Sequence, residues 1–196
     1  MPRPTLHPTD TILDSARELL LEQGAAGATI EAIAGASGAP TGSIYHRFGS
    51  RDAMLARLWI RAVRRSQRDF LAACAADDPR DAALGAARSI IEFCRRHPAD
   101  ARLLVSFRRE DLMQASDDEG VKAELERLNR PVEQAIVALT KRLFGSARRR
   151  ELNRTLMATF DLPYGAARRY LIMGAPLPRH LEADVAAAVE AVLDLD

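Results

Sequence analysis

The chain has 196 residues, of which 47% are hydrophobic and 28% charged, and its formal net charge is +1. That length allows one domain, or a small domain joined to a larger one, and the apolar content builds a packed core and excludes a disordered chain. A net charge so near zero excludes a general polycation, so any surface for nucleic acid must be made by local charge.

The basic residues are 26 arginines and two lysines, Lys122 and Lys141. Arginine suits bidentate contacts to phosphate and guanine, although a GC-rich genome produces the same excess. Cys74 and Cys94 give neither a disulfide framework nor a metal cluster and are expected to be reduced residues in or near the core. The N-terminus, MPRPTLHPTD, has no apolar signal core, and no run of about 18 apolar residues spans a membrane. The expectation is a soluble cytoplasmic protein with no membrane partner.

No segment alternates as a strand does, and alanine, leucine, glutamate and arginine favour helix. Residues 1–9, with three prolines, are expected to form a flexible arm. A first helix runs from about Thr11 to Gln23, with Ile12, Ala16, Leu19 and Leu20 on one face and Gly24 as its stop. A short second helix starts at Thr29, a natural N-cap, and ends at Ser37-Gly38. Pro40 then opens a third segment, TGSIYHRF, in which Ile44 and Phe48 face inward four residues apart. Gly49 stops it, Ser50 caps the next helix, and Asp52 lies in that helix's first turn. The fourth helix carries the stripe Met54, Leu55, Leu58, Trp59, Ala62 and Val63 as far as about Ala76. Further helices are predicted at about 80–96, 99–106, 118–144, 147–172 and 180–194, about nine in all. Pro131 and Pro163 are expected to kink or split theirs.

Two short helices separated by a tight turn are the parts of a helix-turn-helix. The third segment buries only Ile44 and Phe48, which leaves Thr41, Gly42 and Ser43 as a small, polar outer face. Small residues let a helix backbone enter the major groove deeply. Local charge agrees, since residues 41–68 hold seven arginines against one acid, Asp52. The part near Ser50 suits phosphate. Arg61, Arg64, Arg65 and Arg68 lie farther along the fourth helix and are expected to form a solvated face.

The stretch TIEAIAGASGAPTGSIYHRFGSRDAMLARL resembles the DNA-binding signature of the TetR family of bacterial transcriptional regulators. The matching residues are Thr29, Ile33, Ala34, Gly38, Ile44, Tyr45, His46, Phe48, Ser50, Arg51 and Asp52, within about residues 10–60. The resemblance implies that Thr29, Tyr45, His46 and Arg51 contact phosphates and that Thr41, Gly42 and Ser43 approach base edges. Taken singly, Tyr45 reads equally as a core-edge residue, His46 as a surface histidine, and Thr29 and Ser50 as caps. Pro40-Thr41 stands where Ser-Lys is frequent in the family, and Arg47 where a second aromatic is frequent. Arg47 is a candidate to replace the missing lysine and to read a guanine, so an operator sequence does not carry over.

The resemblance implies an all-α fold with an N-terminal three-helix DNA-binding domain over residues 10–52. A larger helical domain for effector binding and dimerisation would occupy 53–196. It also implies a repressor that binds a palindromic operator as a homodimer, with no cofactor beyond an unidentified small-molecule effector. Candidate lining residues for a mostly apolar effector pocket are Trp59, Phe70, Phe93, Leu104, Phe107 and Met113, each of which is also a plausible core residue. Candidate interface residues are Val185, Ala188, Val189 and Val192, a stripe that alternatively packs within its own chain. Against an enzyme, the sequence has no phosphate loop, no G-x-S-x-G elbow and no paired zinc ligands. A helical adaptor for another protein is the remaining alternative.

Overall fold

A computed structural model describes residues 8–195, among which there are twelve α-helices, one π-helical segment and no strand. The proposed arm lies almost entirely outside the described residues, and Thr9 already belongs to α1 (Thr9–Gly27). Gly24 adopts a left-handed conformation inside this span and ends its regular part, the role its position predicts. There follow α2 (Ile30–Ser37), α3 (Thr41–Phe48) and the long α4 (Arg51–Cys74). The body is built from α5 (Pro79–Arg96), α6 (Pro98–Ser106), α7 (Arg109–Ala115), α8 (Glu119–Arg127) and α9 (Arg130–Phe144). It closes with α10 (Arg149–Leu156), the π segment Met157–Asp161, α11 (Leu162–Met173) and α12 (Leu181–Leu193).

Three of these features correct or refine the sequence reading. The short α7 is not foreseen: it occupies a stretch that reads as connection. The segment 118–144 is two helices, because Pro131 takes the first turn of α9, where a missing N–H costs nothing. Pro163 acts differently. It cannot donate to the carbonyl four residues back, and the chain absorbs this by widening into the π segment just before it. Buried threonines line that bend, with Thr140 Oγ1 donating to Thr155 Oγ1 at 2.9 Å and Thr159 Oγ1 to the Thr155 carbonyl at 2.7 Å.

Two apolar clusters hold the molecule. The first joins α1, α2 and α3 to the front of α4 and reaches Leu103, Leu112, Val121 and Leu125 of the body. The second joins the back of α4, at Phe70 and Cys74, to α5 and α9–α12. Packing therefore does not stop at residue 52: α4 is a shared beam between the two cores. Burial pushes the thiols of Cys74 and Cys94 up to about 11, so both are inert core groups, as expected.

The six residues proposed for an effector pocket divide between these cores. Trp59 belongs to the first, with Leu104, Phe107 and Met113 packed against it, and the Trp59 indole donates to the Phe107 carbonyl at 3.2 Å. Phe70 and Phe93 belong to the second. All six therefore pack against these cores, and Leu104 touches both of them. The α12 stripe divides as well. Val185 and Val189 are buried in the chain's own second core, while Ala188 and Val192 are half-buried. The helix period places these residues on one face, and α5 takes up that face.

Acidic residues from distant segments neutralise the arginines of α4. Asp100 on α6, 1% exposed, accepts from Arg17 of α1 and from Arg65 of α4, both at 2.5 Å. Arg61 pairs with Asp10 at 2.8 Å and with Asp14 at 2.6 Å. Arg57 meets Asp118 at 3.4 Å and Arg64 meets Glu124 at 2.8 Å. Arg68 pairs with its neighbour Asp69 at 3.1 Å. The expected solvated face is thus a set of ties: Arg61 and Arg65 hold α1 and α6 against α4, and only Arg64 and Arg68 stand mostly in water.

Candidate nucleic-acid interface

The reading head is set by local rules. Thr29 caps α2, its Oγ1 accepting from the Ala32 N–H at 3.1 Å. Gly38 closes α2 in the left-handed conformation (φ 69°), which only glycine adopts freely, so the chain reverses within a few residues. Gly49 (φ 77°) does the same for α3 and donates its N–H to the Tyr45 carbonyl at 2.8 Å. Ser50 then caps α4, accepting from the Ala53 N–H at 3.1 Å.

At about 100° per residue, the buried pair Ile44 and Phe48 fixes which side of α3 faces outward. Gly42, Ser43 and His46 point away from the core. Tyr45, 48% exposed, flanks them on one side with Thr41, and Arg47 flanks them on the other. The structure thus leaves Gly42, Ser43, Tyr45 and His46 on the accessible side of α3, while half-buried Thr41 starts the helix nearer the Ile44–Phe48 side. Arg47 is turned instead toward a cleft of about 440 Å³ that it lines with Phe48, Leu13, Arg57 and Arg61. Its place at the flank suits a backbone contact better than a base edge.

Gly42 is informative because nothing inside the protein requires it. It is helical, its φ is not positive, and a Cβ built there meets no atom within 4 Å. Glycine in a helix costs about 0.5–1 kcal/mol relative to alanine. Here the cost has no intrachain return, and the open space lies on the outer face of α3.

Arg51 has an intrachain role that the sequence does not reveal. Its Nε donates to the Ala28 carbonyl at 2.7 Å, its Nη2 to the Ala25 carbonyl, and its Nη1 to Asp52 at 3.1 Å. The guanidinium ties the start of α4 to the turn that delivers Thr29. Replacing it with alanine is expected to lower the melting temperature and to weaken duplex binding, with the salt slope unchanged. Thermal melts and affinities at several salt concentrations check this. A slope reduced by about 1 would instead make Arg51 a direct phosphate ligand.

The geometry defines a class: a helix-turn-helix domain with its reading helix free, carried on a larger helical body. Residues 12–58 match the family model described as bacterial regulatory proteins, tetR family. The whole fold is similar to that of the TetR-family transcriptional regulator PfmR from Thermus thermophilus. The TM-score is 0.71 at 17% identity, over 93% of this chain and 96% of that one. It is similar as well to the fatty acid degradation regulator FadR from Bacillus halodurans, with a TM-score of 0.70 at 14% identity, over 95% and 98% of the two chains. FadR from Bacillus subtilis, in complex with stearoyl-CoA, gives 0.71 at 12% identity over 95% and 98%. Among curated proteins, none matches this chain in sequence. At these identities the structural likeness establishes the fold, and the family match establishes the DNA-binding domain. Residues 12–58 thus carry the DNA-binding domain described by the tetR family model, and the chain as a whole shares the fold of the solved TetR-family regulators. No helix among the described residues is long and apolar enough to cross a membrane.

Proposed function

We propose that the protein is a repressor that binds a palindromic operator as a homodimer and lets go of it when a small effector binds the helical body. The observation that carries the DNA reading is the outer face of α3, where Gly42 leaves space that the fold itself does not use. Gly42, Ser43 and Thr41 would approach base edges. Tyr45 and His46 would contact the backbone, and the capped N-terminus of α2 at Thr29 would offer its N–H groups to a phosphate. Few free cations stand near this face, because the α4 arginines are paired elsewhere, so helix termini and hydroxyls supply much of the grip.

Dimerisation would use the outward side of the last helices. Met157 and Phe160 are exposed on the π segment, and Ile172 and Met173 near the end of α11. Ala183, Ala187 and Ala191 form an exposed stripe on α12, four residues apart. The π segment, α11 and α12 all pack on α5, so their outer sides look the same way. A two-fold axis through such a face makes a four-helix contact with small residues at its centre.

Selection of bound duplexes from a random pool is expected to return a palindrome with half-sites about 34–36 Å apart. Gly42→Leu is expected to melt no lower than the parent, since leucine favours helix more than glycine does, and to lose at least tenfold in operator affinity. A variant that keeps full affinity would take α3 away from the duplex.

A further inference from the structure

Alongside α4 runs a second cleft, of about 730 Å³, bounded by α4, the whole of α8 and the start of α9. Its size falls within the range of small-molecule sites. Three arginines converge on it, Arg64, Arg68 and Arg127, against one acid, Glu124. Arg57, Arg61 and Arg65 are each matched by an acid from outside α4, but here the cations are in surplus. Arg127 has no acid partner among the described residues. Arg68 has only the adjacent Asp69. Beside the charges the cleft is lined by the apolar groups Leu71, Leu128 and Pro131. That lining is held in place: Gln67 donates its amide to the Leu128 carbonyl and to Asn129 Oδ1, both at 3.1 Å, locking the α8–α9 corner to α4.

We propose that this cleft is a binding site for a small anionic amphiphile. Its phosphate or carboxylate would be held by Arg64, Arg68 and Arg127, and its short apolar part laid on Leu71, Leu128 and Pro131. Arginine forks suit both headgroups. DNA is the poorer occupant, because Arg64 and Arg68 lie about 20–26 Å along the helix axis from Arg51, beyond the reading head.

The site has a built-in competitor. Glu124 holds Arg64 at 2.8 Å, and Arg57–Asp118 is the other ion pair between α4 and the start of α8. An anion that takes Arg64 from Glu124 removes one of these two ion pairs and loosens the outer side of α8 against the beam that carries α3, while the buried Val121 and Leu125 keep the helix docked. This last step rests on the regulator reading above; the binding does not.

The test uses the full chain and octyl phosphate as the probe, with inorganic phosphate and octanol as partial probes, followed by titration calorimetry. Octyl phosphate is expected to bind at one site per chain, at least tenfold more tightly than either partial probe. The double variant Arg68→Gln/Arg127→Gln, both surface positions, is expected to lose at least tenfold of that affinity. Glu124→Gln, which removes the competitor, is expected to gain several-fold. Octanol binding as tightly as octyl phosphate, or a double variant that binds like the parent, would overturn the proposal. A chain that binds octyl phosphate but no duplex keeps this site and removes the regulator reading; one that binds duplex but no octyl phosphate does the reverse.

Discussion

Asp100→Ala is expected to destabilise the protein by about 3 kcal/mol, the lower end of the range for breaking a buried ion pair, and to lower the melting temperature by roughly 6–12 °C. Asp100 is one of the few buried charged or polar side chains and is the acceptor for both Arg17 and Arg65. Removing it leaves two guanidinium groups facing each other without the anion between them. Arg17 is nearly enclosed, whereas Arg65 keeps a third of its surface in water, and that solvation holds the loss to the lower end. The three residues belong to α6, α1 and α4, so the variant should loosen the reading domain from the body before it opens either core.

A second substitution separates stability from coupling. Arg17→Met/Arg65→Met/Asp100→Leu replaces the triad with apolar groups of similar reach, and buried triads so replaced are often as stable or more so. Recovery of the melting temperature, with the DNA response to an effector lost, would assign the triad to coupling. If Asp100→Ala melts with the parent, Asp100 is not a structural tie.

The reading domain is legible in the sequence because its signals are local. Thr29 and Ser50 cap the helices that follow them, Gly38 and Gly49 take the left-handed turns, and Ile44 and Phe48 fix the face of α3 through a spacing of four. Each depends on a few consecutive residues. The charge on α4 fails as a guide for the opposite reason. Seven arginines in a short stretch look like a basic surface, but the partners of Arg57, Arg61, Arg64 and Arg65 lie 35–61 residues away in the chain. Segment charge says nothing of acids that fold back onto it. The α12 valines show the same limit: periodicity gives a face, not the object that the face meets. The phosphate role of Arg51 comes from the family resemblance, and its carbonyl partners Ala25 and Ala28 carry no side-chain signal. The exposed Met157 and Phe160 are hidden by Pro163, whose π segment shifts the helical register just where they occur.

That shift leads to the last expectation. Phe160→Glu is expected to turn the homodimer proposed above into a folded monomer and to cut operator affinity at least a hundredfold. Phe160 is 44% exposed and stacks on Tyr164, with ring centroids 5.7 Å apart. Its removal empties no core, so circular dichroism and the melting curve should stay close to those of the parent. In a two-fold contact each Phe160 would sit near its counterpart or near the Ala187 stripe, where a carboxylate finds no cation and loses its water. Light scattering would then report one chain's 21.5 kDa rather than twice that. The affinity should fall with it, because a monomer reads one half-site and forfeits the gain from two linked reading helices. A variant that remains a dimer with parental affinity would move the interface to another face. A monomer that still binds the palindrome tightly would leave the dimer without a role in recognition.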